Sequence, residues 1–339
     1  PISRYQSEAF LALNWIESTW QGRQLSTLFL LPLSGLFCLV SLFRRWFYRL
    51  GLLSRHKVGK PVIIVGNITV GGTGKTPLIV WMAQQLIEWG YRPGIITRGY
   101  GGQSKHWPCE VRSDSRAEQV GDEAILLMRH SGCPVYAGPD RPIAAEQLIS
   151  SHQCDLILSD DGLQHYALDR DLEIVVVDGQ RRFGNGYCLP AGPLRETPKR
   201  LSEVDLVIVN GHAHPGEYQM SVSGSMAIAL NGELAPKTLV EFSDSRVDAI
   251  AGIGNPERFF SMLEASGLSI DRHPFPDHHL FSADELTAYS GNTVLMTEKD
   301  AVKCEEYAQS NHWYVPAIAK VDPEFEKLFM TKVKRLLDG

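Results

Sequence analysis

An α/β fold, with a mostly parallel sheet and helices on both faces, is predicted by three observations. Short aliphatic runs alternate with helix-length segments from Pro61 onward, at 62–65, 94–97, 135–138, 156–159, 174–177 and 206–209. The runs are near-continuous rather than alternating, as strands covered on both faces must be. Their C-terminal ends carry the glycines and polar residues, and that edge is where open α/β sheets bind ligands.

The first element stands apart from this pattern. Residues 25–43 carry no charge over nineteen positions and are followed at once by Arg44, Arg45, Trp46, Phe47, Tyr48 and Arg49. A membrane span needs about 20 apolar residues, and basic and aromatic flanks sit at a membrane interface. Pro32, Gly35 and the hydroxyls of Ser26, Thr27, Ser34 and Ser41 dilute the run. Three placements therefore fit it: a helix lying in the interface, a span, and a core or partner-docking helix. A cleaved signal does not fit, because the basic residues follow the apolar run. Arg44, Arg45, Arg49, Arg55, Lys57 and Lys60 favour an anionic cytoplasmic leaflet.

After the first strand comes Ile68-Thr69-Val70-Gly71-Gly72-Thr73-Gly74-Lys75-Thr76-Pro77, then a helix-like stretch. Strand, glycine loop and helix start together read as a phosphate-binding loop of the P-loop NTPase type. Thr69 to Thr76 would wrap backbone N–H groups around a polyphosphate, Lys75 would reach its outer phosphates, and the Thr76 hydroxyl would face Mg²⁺. Thr69 stands where the usual pattern has its first glycine. Val70 stands where partitioning-type ATPases carry a second lysine, which weighs against a nucleotide-driven switch.

Further strand ends add carboxylates and cations. The strand at 156–159 runs into Asp160 and Asp161, the form of a metal-holding aspartate after a β-strand. Adjacent residues cannot point the same way on a strand, so the two should divide between metal and a basic neighbour. Gly121-Asp122-Glu123 precedes an apolar helix; the pair is either a helix-start feature or, with His278 or His279 across a cleft, a base and its partner. Arg195 lies in the stiff loop Pro190-Ala191-Gly192-Pro193-Leu194-Arg195-Glu196 and either clamps phosphate or forms a surface ion pair with Glu196. Thr297-Glu298-Lys299-Asp300 is either a polar turn or a nucleotide-side contact.

At 339 residues the chain has room for two domains. The expected organisation is a membrane-associated helical segment over 1–57, a nucleotide-binding α/β domain over 58–212, a two-stranded linker over 213–243, and a smaller α/β domain over 244–339. The net charge of −6 excludes a general nucleic-acid binder. Six scattered cysteines without a C-x-x-C pair fit a reducing compartment and no zinc site.

Seven strings occur in order. They are the loop from Gly66 to Pro77, Thr97-Arg98-Gly99-Tyr100-Gly101, Gly121-Asp122-Glu123, Ser159-Asp160-Asp161-Gly162-Leu163-Gln164-His165, Gly192-Pro193-Leu194-Arg195-Glu196, Phe275-Pro276-Asp277-His278-His279, and Thr297 to Lys303. Together they closely resemble the tetraacyldisaccharide 4'-kinases of the lipid A pathway, over nearly the whole chain, and the relaxed first loop position is shared by that family. The resemblance implies transfer of the γ-phosphate of ATP to the 4'-hydroxyl of a tetraacyldisaccharide 1-phosphate, giving lipid IVA, at the cytoplasmic face of the bacterial inner membrane. It also implies Asp122 as catalytic base assisted by His278, and Lys75 and Thr76 in phosphate and Mg²⁺ roles. Glu123, Asp160 and Asp161 are implied around the metal, and Arg195 on phosphate. The rival reading is a P-loop switch or partitioning-type ATPase at the membrane.

Overall fold

The computed structural model describes residues 20, 25–289 and 291–338; most of the residues ahead of position 25 in the expected N-terminal segment lie outside them. Helix α1 (Leu25–Arg49) leads into strand β1 (Val62–Gly66), helix α2 (Lys75–Glu88), β2 (Pro93–Thr97) and β3 (Cys109–Glu110). Then come α3 (Ala117–Val120), α4 (Asp122–Ser131), β4 (Val135–Ala137), α5 (Arg141–Ser151), β5 (Leu156–Asp160), β6 (Leu172–Asp178) and β7 (Leu206–Asn210). The short strands β8 (Tyr218–Ser223), β9 (Met226–Ala229) and β10 (Lys237–Thr238) precede β11 (Arg246–Ala251), α6 (Pro256–Ala265) and β12 (Ser269–Pro274). The chain ends with α7 (Ala283–Thr287), β13 (Thr293–Thr297), α8 (Glu298–Ala301), β14 (His312–Val315), β15 (Ile318–Val321) and α9 (Pro323–Asp338).

Two sheets result. The larger has the order β15-β8-β7-β6-β1-β5-β2-β4-β3, parallel from β8 through β4 with an antiparallel strand at each edge. Along β1 successive residues face opposite layers, because the strand period is two. Ile63 and Val65 join a core with Leu78, Ile79 and Met82 of α2 and Phe325 and Phe329 of α9. Val62 and Ile64 join the other, with Leu148 of α5 and the α1 residues Phe37 and Cys38 against its edge. The smaller sheet has the order β10-β9-β14-β13-β11-β12, and Val247, Ala249 and Ala251 pack on Phe259, Phe260 and Leu263 of α6.

The link between the sheets differs from the expected two-stranded segment at 213–243. Residues 218–223 extend the large sheet beside β7 and pair antiparallel with β15, nearly a hundred positions later, while 226–229 belong to the small sheet. The two crossings touch: a Cβ at Gly224 would fall 2.6 Å from the Pro316 carbonyl oxygen. Alternating polar and apolar residues at 218–229 specify strands but not their partners.

Helix α1 runs unbroken through Pro32, with only 11% of its most apolar stretch buried. Leu28, Phe29, Leu36, Leu39, Val40 and Phe43 are exposed, which overturns the core-helix placement. By length and composition it is long enough to cross a membrane. One side docks: Ser34 donates to the Cys188 carbonyl at 2.7 Å, and Arg45 and Arg49 pair with Glu203. The six cysteines are free thiols, three of them buried.

Candidate active site

Parallel pairing of the neighbouring strands β1 and β5 puts Val65 opposite Asp160, so the glycine loop and the two aspartates emerge side by side. Gly74, at φ 96°, turns the loop into α2 in a left-handed conformation that a side chain would disfavour. A Cβ there would also fall 2.7 Å from the Asn210 side chain, whose amide donates to the Thr73 carbonyl at 3.2 Å. The Pro190–Glu196 loop runs alongside: the Arg195 N–H donates to the Ile68 carbonyl at 2.7 Å and the Val70 N–H to the Pro193 carbonyl at 2.8 Å. Thr69, Val70, Gly71, Gly72, Thr73, Gly74, Lys75 and Thr76 thus form one turn braced from its flank.

The two aspartates part because β5 ends between them. Asp161, at φ 48°, turns out of the strand and faces both Arg195 (2.9 Å) and Lys75 (3.4 Å). Burial would raise its carboxyl, but Lys75 and Arg195 outweigh burial and hold it far below the usual range. Asp160 stays in the strand, fully buried, and accepts one bond from the Thr97 hydroxyl at 3.0 Å. Its Oδ1 is buried and, among the described residues, has no hydrogen-bond partner. Burial first, then the nearby Glu123, push the Asp160 carboxyl up to about 7. An orphaned anionic oxygen of this kind fits a cation. Arg141, buried at the start of α5, donates among the described residues only to the backbone carbonyl of Asp160, at 2.5 Å.

Asp122 and Glu123 form the first turn of α4, which starts at Asp122 itself. Asp122 is buried; its Oδ1 accepts the Glu123 N–H at 2.8 Å and its Oδ2 lies 3.0 Å from Nδ1 of His278. His278 reaches across from the small sheet with φ 60°, a conformation uncommon outside glycine, and its ring packs on Tyr100 at 4.7 Å. Burial works to lift the Asp122 pKa, yet the His278 bond and Lys299 bring it below the ordinary value. For His278 burial disfavours the charged ring, and the bond to Asp122 overrides it to give a net upward shift. His279 instead faces Glu285 at 3.3 Å.

Lys299 is the residue that sequence reasoning left inside an undecided string. Thr297 and Asp300 of that string cap α8: the Thr297 hydroxyl accepts the Asp300 N–H at 3.2 Å, and Asp300 accepts the Gly252 N–H at 2.9 Å. The capped turn aims Lys299 at Glu123, Asp277 and His278. Glu196, read as a surface partner for Arg195, is instead buried and accepts from Gln164 and Tyr166.

The two sheets also meet beyond this cluster. Asp178, at the end of β6, pairs with Arg258 of α6 at 2.9 Å, and Arg181 bridges the Gly72 and Gly254 carbonyls at 2.8 and 2.6 Å. Asn255, at the N-cap position of α6, makes no side-chain cap bond, and its amide donates to Asp178 at 3.3 Å. On the far side, His130 and Arg129 of α4 bind Glu298 and Glu305. The cleft between is lined by main chain from the large sheet and side chains from both.

Residues 26–334 match the family model described as Tetraacyldisaccharide-1-P 4'-kinase. The chain belongs to this kinase family. It is 52% identical over 307 residues to a tetraacyldisaccharide 4'-kinase of Nitrosococcus oceani, covering 90% of each chain. It is 47% identical to that of Methylobacillus flagellatus, covering 96% of this chain and 97% of the relative. Among solved structures it is similar to LpxK from Aquifex aeolicus in complex with ATP, with 28% identity and a TM-score of 0.77, over 92% of this chain and all of the other. Family membership removes the partitioning-ATPase reading and agrees with the α/β fold predicted from the strand pattern.

Proposed function

We propose that the chain moves the γ-phosphate of ATP onto the 4'-hydroxyl of a tetraacyldisaccharide 1-phosphate, with Asp122 as the base. The observation that carries this reading is the Asp122–His278 pair, buried at the cleft and built from both sheets. The braced loop from Thr69 to Thr76 would hold the polyphosphate, with Lys75 and Arg195 exchanging Asp161 for phosphate oxygens. Thr76, Asp160 and Glu123 would hold Mg²⁺, which keeps most of its ligands from water and phosphate and so needs few carboxylates. Bound there, the ion would neutralise charge on the phosphate oxygens.

Asp122 is a weak base: burial would raise its pKa, but the His278 bond and the charge of Lys299 bring it below the ordinary value. That suits phosphoryl transfer, where the transition state is loose and the acceptor proton leaves late, so placement counts for more than basicity. Its two oxygens are each held by one bond, leaving lone pairs to receive the sugar hydroxyl. Tyr100, exposed beside His278, would flank the sugar.

A lipid acceptor explains the apolar helix on an otherwise water-facing enzyme. We place α1 at the cytoplasmic face of the inner membrane, its exposed leucines and phenylalanines in lipid and its arginines at the headgroups. The organisation expected from sequence, with a nucleotide-binding unit and a smaller closing unit, would then exclude water from the cleft. The test is transfer of labelled γ-phosphate from ATP to the detergent-dispersed acceptor, with and without Mg²⁺. Mg²⁺-dependent label on the lipid is expected; ATP hydrolysis without lipid label would overturn the reading.

A further inference from the structure

The side chain of Lys299 has three N–H donors and no acceptor. All three find a partner: Asp277 Oδ1 at 3.1 Å, Glu123 Oε1 at 3.2 Å and His278 Nε2 at 3.2 Å. The third contact restricts the histidine. An ammonium group can only donate, so Nε2 must offer a lone pair, and the ring proton is left on Nδ1. Nδ1 is the atom 3.0 Å from Asp122 Oδ2. A free neutral imidazole prefers the opposite tautomer, so the site has to select this one from both sides: the Asp122 carboxylate, which can only accept, draws the proton to Nδ1, and Lys299, which can only donate, keeps it off Nε2.

We propose that Lys299 is the positioning residue that fixes His278 in its Nδ1–H form and, through it, holds the Asp122 carboxylate toward the acceptor hydroxyl. The inference rests on the reading of Asp122 as the base. Its geometric support is independent of that reading, because the three contacts of Lys299 exist whatever the carboxylate does. The lysine is itself well fixed: its side chain is 16% exposed and its backbone sits in the turn capped by Thr297 and Asp300. His278 is faced by Asp122 from α4, by Lys299 from α8, by Asp277 on its own loop and by Tyr100 after β2. Among the described residues only Lys299 reaches Nε2 with a donor; Asp277 Oδ1 lies farther from the same nitrogen, at 3.8 Å.

The arrangement also makes the tautomer depend on both sheets at once. Lys299 and His278 belong to the small sheet, whereas Glu123 and Asp122 belong to the large one. Separating the sheets would break the His278–Asp122 bond and take two of four charged partners from the cluster.

Ring nitrogen shifts of the full chain, labelled with ¹⁵N-histidine in detergent micelles, test this directly, with the His278 signals identified by their loss in His278→Gln. A protonated Nδ1 and an unprotonated Nε2 are expected in the wild type; a proton on Nε2 overturns the proposal whatever any variant does. In Lys299→Met, where Asp122 alone favours the Nδ1 proton, a protonated Nε2 signal absent from the wild type should appear, with kcat down about 10- to 100-fold and KM for ATP within about twofold. A folded Lys299→Met that keeps the wild-type signature refutes the selecting role. Asp122→Asn separates the two readings. If it transfers phosphate normally, the base assignment fails, while the tautomer result still stands or falls on the spectrum.

Discussion

The two edges that face each other across the cleft are made differently. The large sheet delivers, beside the side chains of Lys75, Asp122, Glu123 and Asp161, a main-chain cradle: a loop whose geometry comes from Gly71 and Gly74 at φ 96° and whose bracing comes from backbone bonds to the 190–196 loop. The small sheet delivers side chains: His278, Lys299, Arg258 and Asp277. Main-chain sites are rigid and tolerate little replacement at glycine. Side-chain sites are precise only while their partners across the cleft are in place. Binding of phosphate thus belongs to one edge, and readiness to react needs both.

The sharpest break of this contrast is Asp122→Asn, which keeps shape and removes the base. Turnover should fall about 10²- to 10⁴-fold with ATP affinity, measured by equilibrium binding, nearly intact. An equal loss of both would make Asp122 a nucleotide-binding residue rather than the base. Gly254→Ala attacks the apposition of the edges. Its Cβ would lie 2.5 Å from the Gly72 backbone nitrogen and 3.0 Å from the Gly71 Cα, atoms that cannot swing aside. We expect turnover down roughly 10-fold with the melting temperature little changed; unchanged kinetics would mean the sheets need not meet there.

Asp160→Asn should do the reverse of damage to the protein without ligands. The folded carboxyl titrates near 7 against an ordinary 3.8, so the folded state holds its proton more tightly than the unfolded chain. Its contribution is intact below about pH 4 and is lost as pH rises through 7. Asparagine cannot ionise, so melting at pH 8 should rise by roughly 2–4 °C, and the gain should vanish toward pH 4. A gain equal at both values would assign the effect to packing. The smallest effect concerns α1: Leu36→Asp with Val40→Asp should weaken sedimentation with anionic vesicles and leave melting within about 1 °C. Unfolding of that variant would mean the face is covered in the native protein.

The same contrast explains what could be read from the chain alone. The main-chain edge writes itself into sequence, because only small residues fit its turn and only aliphatic runs fill its buried strands. Lys75, Asp160 and Asp161 are found from their place after such runs. The side-chain edge is written across distance. His278 meets Asp122 from 156 positions away, and spacing alone left that pair open until the family resemblance was added. Lys299 stayed hidden because its string reads equally well as a capped turn, which it also is. Strands β12, β14 and β15 escaped for another reason. β12 is a largely polar edge strand, β14 buries a histidine and β15 is four residues long; a pattern so short carries no period.

The touching crossings at Gly224 and Pro316 have a mechanical consequence. Two bodies joined by long separate tethers can slide, twist and part; two joined where both strands of the connection lie against each other are left with a swing about one line, like a door on a single pin. Any such swing would keep His278 and Lys299 opposite Asp122 and Glu123, so their registration is written into the covalent joint as well as into the ion pairs that cross the cleft.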